Sequence, residues 1–229
     1  MKNPAQLLRE APLFLGLSEQ SKTALSACCT VREREKGTHL FLDKDIPACI
    51  YFLAEGKAAL YKLNSLHERK VIFIYGPGNF LNEGCLQRPA LSINCELIED
   101  STVLCFAKDA FLKIMEQDFT LSKAVIDSMS LKIHRLYHQL KNTSNTVRMD
   151  KRIAAKLWKL SLDHGIPGPQ GYTINIHMTV SYLAELLGSK RETVSRQLKV
   201  LTDQGLVLYQ KNRFLVPDRE KLKKYFQEP

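Results

Sequence analysis

The chain has 229 residues, 45% hydrophobic and 25% charged, which is enough for one large or two small domains with real cores and excludes wholesale disorder or a fibrous repeat. No run approaches the roughly 18 to 20 apolar residues that span a bilayer, and the start Met1-Lys2-Asn3-Pro4-Ala5-Gln6 lacks the apolar stretch of a signal peptide, so no membrane partner is expected and a cytoplasmic location is the default. The formal charge of +9 points to an acidic partner without naming one.

In chain order, residues 4–30 read as helical, with Leu7, Leu8, Leu13, Leu17 and Leu25 among polar residues and Ser18 placed to cap the segment Glu19 to Ala27. From Thr38 to Phe106 short apolar runs follow one another: residues 38–42, 50–53, 58–63, 70–75 and 102–106. Turn formers separate them, among them Asp43-Lys44-Asp45, Glu55-Gly56-Lys57, Asn64-Ser65 and Gly76-Pro77-Gly78-Asn79. Short strands at nearly regular spacing predict an antiparallel sandwich or barrel of jelly-roll size. Beyond Lys108 the pattern becomes helical. Leu121, Val125, Met129, Ile133, Leu136 and Leu140 form one apolar stripe, which can pack on the barrel or against a second copy. Asn142-Thr143-Ser144-Asn145-Thr146 reads as a polar hinge, a further helix runs from about Asp150 to Asp163, and Gly165 to Gly171 reads as a loop.

Residues 146–229 carry 15 Lys and Arg against 8 Asp and Glu, whereas residues 1–145 carry 18 against 16. Nucleic acid would favour that asymmetry, and so would a plain solvated basic face; a motif has to decide. Thr179 is placed to cap a short helix, Val180 to Leu187, that Gly188 ends. Ser189-Lys190-Arg191-Glu192 has the capping-box pattern and predicts a second helix from Lys190. Two short helices across a glycine turn make a helix-turn-helix, whose second helix enters the major groove by its N-terminal turns. Arg191, Glu192, Ser195 and Arg196 fall on its exposed side, with Val194, Leu198 and Leu201 inward. Residues 205–209, the turn Gln210-Lys211-Asn212-Arg213 and residues 214–216 form a hairpin after it, the wing of a winged helix. Arg pairs bidentately with guanine O6 and N7 and Glu accepts from the cytosine amine, so this set suits G·C pairs. The expected DNA contacts are Ser189, Lys190, Arg191, Glu192, Ser195, Arg196, Lys199, Lys211 and Arg213.

Residues 187–198, Leu-Gly-Ser-Lys-Arg-Glu-Thr-Val-Ser-Arg-Gln-Leu, placed after a barrel, a long helix and a hinge, resemble the Crp/Fnr superfamily of bacterial transcription regulators over essentially the whole chain. The resemblance implies an α+β chain with an N-terminal jelly-roll, cyclic-nucleotide-binding-like β-barrel, a long dimerisation helix and a C-terminal winged helix-turn-helix. It implies an effector-sensing domain over 1–117, dimerisation helix and hinge over 118–145, and a DNA-binding domain over 146–229. The implied partners are double-stranded DNA, a second copy through Leu121, Val125, Met129, Ile133, Leu136 and Leu140, and RNA polymerase, with the Asp163 to Gly171 loop as its contact. The operator is expected to be an inverted repeat with a TGA core. Arg191 tilts it toward TGTGA rather than TTGAT, while Ser195 is typical of the Fnr-like branch.

The resemblance places an effector pocket at Phe80, Glu83, Gly84, Cys85, Ser92, Ile133, Leu136 and Tyr137. Glu83 matches the ribose-binding glutamate, but Asn82 replaces a glycine and Ser92-Ile93 stand where an Arg-Ser pair would hold a cyclic phosphate. Arg88 is displaced in register. The effector is therefore expected to be a small apolar or aromatic molecule meeting Leu136 and Tyr137, not cyclic AMP, and no cofactor is assigned. Cys28, Cys29, Cys49, Cys85, Cys95 and Cys105 form no Cys-x-x-Cys pair and no iron–sulfur spacing, so free thiols are expected. His134 and His138 stand at i,i+4, but solvated helix surface explains them, and no metal is expected. The alternative is a ligand-binding or redox or haem signalling module whose C-terminal domain contacts protein. Enzyme motifs are absent: there is no Gly-x-Ser-x-Gly, no His-Glu-x-x-His and no Walker loop.

Overall fold

The computed structural model describes residues 3–86, 90–142 and 147–228, with the side chains of residues 141 and 142 excepted. Hinge residues Thr143 to Thr146, and Arg88, lie outside the described residues. The chain divides into two compact units, residues 1–62 with 72–137 and residues 63–71 with 138–229.

The first stretch holds three short helical pieces, the last of them the expected Ser18-capped segment. Helix α1 (Pro4–Glu10) begins on an Asn3 cap, a single 3-10 turn follows at Pro12–Phe14, and α2 (Glu19–Ala27) begins where Ser18 accepts the Ser21 amide at 3.1 Å. Pro12 interrupts the helix because it has no amide to donate. Strands β1 (Cys29–Arg34), β2 (His39–Phe41), β3 (Cys49–Glu55), β4 (Ala58–Leu63), β5 (Arg69–Tyr75), β6 (Asn79–Phe80), β7 (Asn94–Leu97) and β8 (Ser101–Ala107) form two antiparallel sheets in the orders β1-β8-β3-β6 and β2-β7-β4-β5, a jelly roll. Phe14, carried by the 3-10 turn, packs on Phe52, Phe80 and Phe106 at centroid distances of 4.8, 6.2 and 6.0 Å. Those offset contacts seal one sheet with the N-terminal segment.

Two helices then follow. Helix α3 (Lys108–Gln117) ends at Asp118, whose carboxylate accepts the Thr120 amide at 2.9 Å, and α4 (Phe119–Asn142) starts there. The predicted dimer stripe divides along α4. Leu121 and Val125 are fully buried in the core of their own barrel and are corrected from dimer contacts to core residues. Each four-residue step advances about 40° beyond a full turn, so a run of fours spirals off one face onto the next. The solvent-facing stripe is Phe119, Ile126, Ile133, Leu136 and Leu140, with Met129 half-buried beside it. Its spacings of seven, then three and four about Met129 and beyond, are those of a coiled-coil seam.

In the second unit, α5 (Met149–His164) leads into a hairpin of β9 (Gly165–Gly168) and β10 (Gly171–Ile174), so the predicted loop is in fact two strands. They join the wing strands β11 (Leu208–Gln210) and β12 (Arg213–Val216) in one sheet, β11-β12-β10-β9. Helices α6 (Val180–Leu187), α7 (Arg191–Asp203) and α8 (Arg219–Gln227) complete the unit. Asp150, 1% exposed, accepts from Tyr225 at 2.6 Å and Arg148 at 2.9 Å, which fastens α8 to the start of α5. Burial alone would raise the Asp150 pKa, but these two partners hold it below the usual carboxylate value. Among the described residues no helix is long and apolar enough to cross a membrane.

Candidate functional site

Helix α6 starts where the Thr179 hydroxyl accepts the Tyr182 amide at 3.1 Å and stops at Gly188, whose φ of 60° is left-handed. The Ser189 amide then reaches back to the Ala184 carbonyl at 3.0 Å, closing the helix end. Arg152 adds a second closure, donating to the Leu187 carbonyl at 2.8 Å, a charge at the helix C-terminus that its position in the sequence does not announce.

The capping box is not formed. Lys190 is the N-cap residue of α7, it makes no side-chain cap bond, and α7 begins at Arg191 rather than Lys190. Ser189 lies one residue too early and its amide is committed to the preceding helix. Glu192 is consequently not held at the cap. Val194, Leu198 and Leu201 are buried, and Arg191, Glu192, Ser195, Arg196 and Lys199 all lie exposed along the opposite stripe. None of these five side chains bonds to another described residue, so the face carries donors, acceptors and charge with nothing in the unit to satisfy them.

The wing is a two-residue hairpin in which Gln210 faces Arg213 and both turn residues, Lys211 and Asn212, have positive φ, 49° and 56°. Two left-handed residues give the turn whose twist matches the strands. Tyr209 donates to the Asn212 carbonyl oxygen of the side chain at 2.9 Å, and the Asn212 backbone carbonyl accepts the Met178 amide at 2.7 Å. Lys211 and Arg213 are exposed at this stiffened tip. Lys190 is exposed and Ser189 half-buried.

The barrel site has a different character. Glu83 is 2% exposed; its Oε1 accepts from the Ser128 hydroxyl at 2.7 Å and its Oε2 from Lys132 Nζ at 2.5 Å. Lys132 also donates to the Phe80 carbonyl at 2.8 Å and lies 4.9 Å from the Tyr75 ring centroid. Burial lowers the Lys132 pKa, against the pull of Glu83. Both Ser128 and Lys132 belong to α4, where they lie off the apolar stripe and so carry no signal in the sequence pattern. Asn82, 3% exposed, accepts the Tyr51 amide at 2.7 Å and donates to the Cys49 carbonyl at 2.8 Å, pinning the loop to β3.

The remaining pocket expectations divide. Phe80 and Cys85 are wholly buried in the core, Gly84 and Ser92 are exposed, and Ile133, Leu136 and Tyr137 are 48%, 40% and 64% exposed on the outward side of α4. His134 stands edge-on to Tyr137 at 6.4 Å. Among the described residues no group of His, Cys, Asp or Glu is arranged to hold a metal, and all six cysteines are free thiols. Burial pushes the Cys29 thiol up to about 12 and Cys105 to about 11, the opposite of what a reactive thiolate needs.

Residues 31–118 match the cyclic nucleotide-binding domain family, and residues 151–225 match the Crp-like helix-turn-helix domain family. The chain is 28% identical over 200 residues to the probable transcriptional regulator flp of Lacticaseibacillus casei, covering 86% of this chain and 87% of that protein. It is 25% identical over 201 residues to the cyclic AMP receptor protein of Thermus thermophilus, covering 87% and 89%. Among solved structures, a CooA mutant from Carboxydothermus hydrogenoformans superposes with a TM-score of 0.77 at 18% identity, covering 94% of this chain and 95% of that one.

Proposed function

Since the chain belongs to the Crp/Fnr superfamily of DNA-binding transcription regulators, we propose that it works as an effector-responsive homodimer whose two α7 helices read an inverted repeat. The observation that carries this reading is the α7 face, where Arg191, Glu192, Ser195 and Arg196 are exposed and unengaged. Arg191 and Arg196 address guanines, Glu192 a cytosine amine, and a TGA-containing half-site of the TGTGA kind suits that set. Ser189, Lys190, Lys199, Lys211 and Arg213 contact phosphates and fix register. A partner on the exposed α4 seam, Phe119, Ile126, Ile133, Leu136 and Leu140, would cover an apolar stripe that a monomer leaves in water, and would set the recognition helices about 34 Å apart. Such a regulator acts in the cytoplasm, and where it activates, RNA polymerase contacts the 163–171 segment.

Cyclic AMP is disfavoured as the effector. Both oxygens of the matching glutamate, Glu83, are already engaged by Ser128 and Lys132, and Ser92-Ile93 offer no guanidinium to a cyclic phosphate. The test is a mobility-shift titration on inverted-repeat DNA. Arg196→Ala should weaken specific binding about 10- to 100-fold, the value of one bidentate base contact. Unchanged affinity in that variant, or failure to select any inverted repeat, overturns the assignment and leaves a protein-contacting module in its place.

A further inference from the structure

One peptide plane, Leu187 to Gly188, joins the end of α6 to the turn before α7. Gly188, with its left-handed φ of 60° and no Cβ, has the widest backbone freedom in that turn, so the plane ahead of it has to be fixed from both sides. On one side the Gly188 amide donates to the Glu185 carbonyl at 3.3 Å, a bond made within α6 itself. On the other, the Leu187 carbonyl accepts Arg152 Nη2 at 2.8 Å, and that donor comes from α5, the helix that packs against both α6 and α7. Arg152 therefore ties the turn to the body of its unit. The carbonyl end of α6 draws the guanidinium to this place, but a like charge stands one turn further along α5. Lys156 has its pKa pushed down to about 8 by burial, then by Lys70 and then by Arg152, and Arg152 forms no ion pair with a described residue. A neutral donor would close the helix end without that crowding, so what the position retains is the strength of a charge-assisted bond.

We propose that Arg152 is the positioning residue of the recognition helix, holding α7 in the orientation from which Arg191 and Arg196 meet base edges. It touches no base itself and acts through the Leu187 carbonyl. Bidentate base contacts need their side chains placed to within about 0.5 Å and about 10–20°, whereas long flexible cations reach phosphates from many orientations. Loosening the turn therefore costs the discrimination between sequences and spares the affinity common to all of them. The inference rests on the reading of α7 as the helix that reads DNA, and it gives a role in sequence preference to a residue that lies outside the helix-turn-helix.

The test compares Arg152→Met, which keeps the apolar stem and loses the donors, with Arg152→Lys, which restores one charged donor, both in the full chain and both checked for native circular dichroism. Affinities for a TGTGA-type inverted repeat and for a scrambled duplex of equal length are measured across a range of salt. In Arg152→Met the preference for the repeat should fall about tenfold, the size of one charge-assisted hydrogen bond, with the scrambled-duplex affinity and the slope of log affinity against log salt unchanged. Arg152→Lys should recover most of the preference. A preference that stays at the wild-type value overturns the inference, and so does a loss shared by both duplexes with the slope reduced by about 1, which would make Arg152 a phosphate contact. Amide hydrogen exchange without DNA supplies the second measure. The Ser189 and Val194 amides, bonded to the Ala184 and Lys190 carbonyls, should exchange about tenfold faster in Arg152→Met while those of α8 keep their wild-type rates; unchanged exchange at the turn refutes the positioning. A wild-type protein that selects no inverted repeat sinks the regulator reading instead, and the exchange rates then decide by themselves whether Arg152 holds the turn.

Discussion

Removing the Lys132 ammonium should cost the barrel more than any exposed ion pair on the molecule. Glu83 is 2% exposed and its two oxygens are held separately, one by Ser128 at 2.7 Å and one by Lys132 at 2.5 Å. In Lys132→Met the apolar stem along Tyr75 is kept, but the carboxylate loses the one counter-charge that bonds it among the described residues, and the Phe80 carbonyl loses its donor. Breaking a buried pair from one side typically costs about 3–5 kcal/mol, which for a chain of this size corresponds to roughly 6–20 °C in Tm. Glu83→Met alone leaves a buried ammonium and should cost a similar amount. Replacing both partners by apolar groups removes the two desolvation penalties together, so the double variant should return to within about 1–2 kcal/mol of the wild type. Urea denaturation of the four proteins, closed as a double-mutant cycle, measures the coupling. A coupling below about 1 kcal/mol, the size seen for solvated pairs, or a double variant as unstable as the sum of the singles, would refute the reasoning.

Three further outcomes follow from other parts of the molecule. Ile133→Glu should raise the dimer dissociation constant about 100-fold or more by placing two carboxylates in one seam, as read by light scattering across concentration, whereas Leu121→Glu should unfold the barrel instead. Removing both wing-tip charges, Lys211→Ala with Arg213→Ala, should reduce the slope of log affinity against log salt by about 2 while leaving base preference unchanged; a full slope would place the tip off the phosphates. The carboxyl of Asp150 is held below its unfolded value of about 3.9, so its stabilisation is complete above that pH and is lost as pH falls through the folded value. Asp150→Asn should therefore be less stable than wild type at pH 7, with the gap closing only as pH falls below the ordinary carboxylate value; parallel acid-denaturation curves would contradict the clasp.

Much of the architecture was readable where local pattern and tertiary packing agree. The runs at residues 58–63 and 70–75 became β4 and β5 because each alternates or stays apolar between strong turn formers. Strand β1 escaped because Cys29–Arg34 lies at a sheet edge with its charged residues in water, and only its pairing with β8 makes it a strand. The β9–β10 hairpin escaped because its prolines and glycines read as loop, although Gly171, at φ 119°, is where a Cβ would strike the Pro217 backbone. The recognition face was legible because helical spacing fixes direction: Val194, Leu198 and Leu201 inward leave Arg191, Ser195 and Arg196 nowhere but outward. The Ser128–Glu83–Lys132 network was not, because it joins polar residues 45 and more positions apart, and no pattern in a single chain marks such a meeting.

Between the last residue of α6 and the first of α7 stand only Gly188, Ser189 and Lys190, and each has its backbone assigned. Gly188 supplies the left-handed bend, the Ser189 amide closes one helix, and the Lys190 carbonyl accepts the Val194 amide at 3.1 Å to open the next. One inserted or deleted residue would undo these three backbone assignments and change the angle at which α7 leaves α6. The segment is thus a fixed angular coupling. New sequence preferences can arise there by exchanging side chains, but not by changing its length.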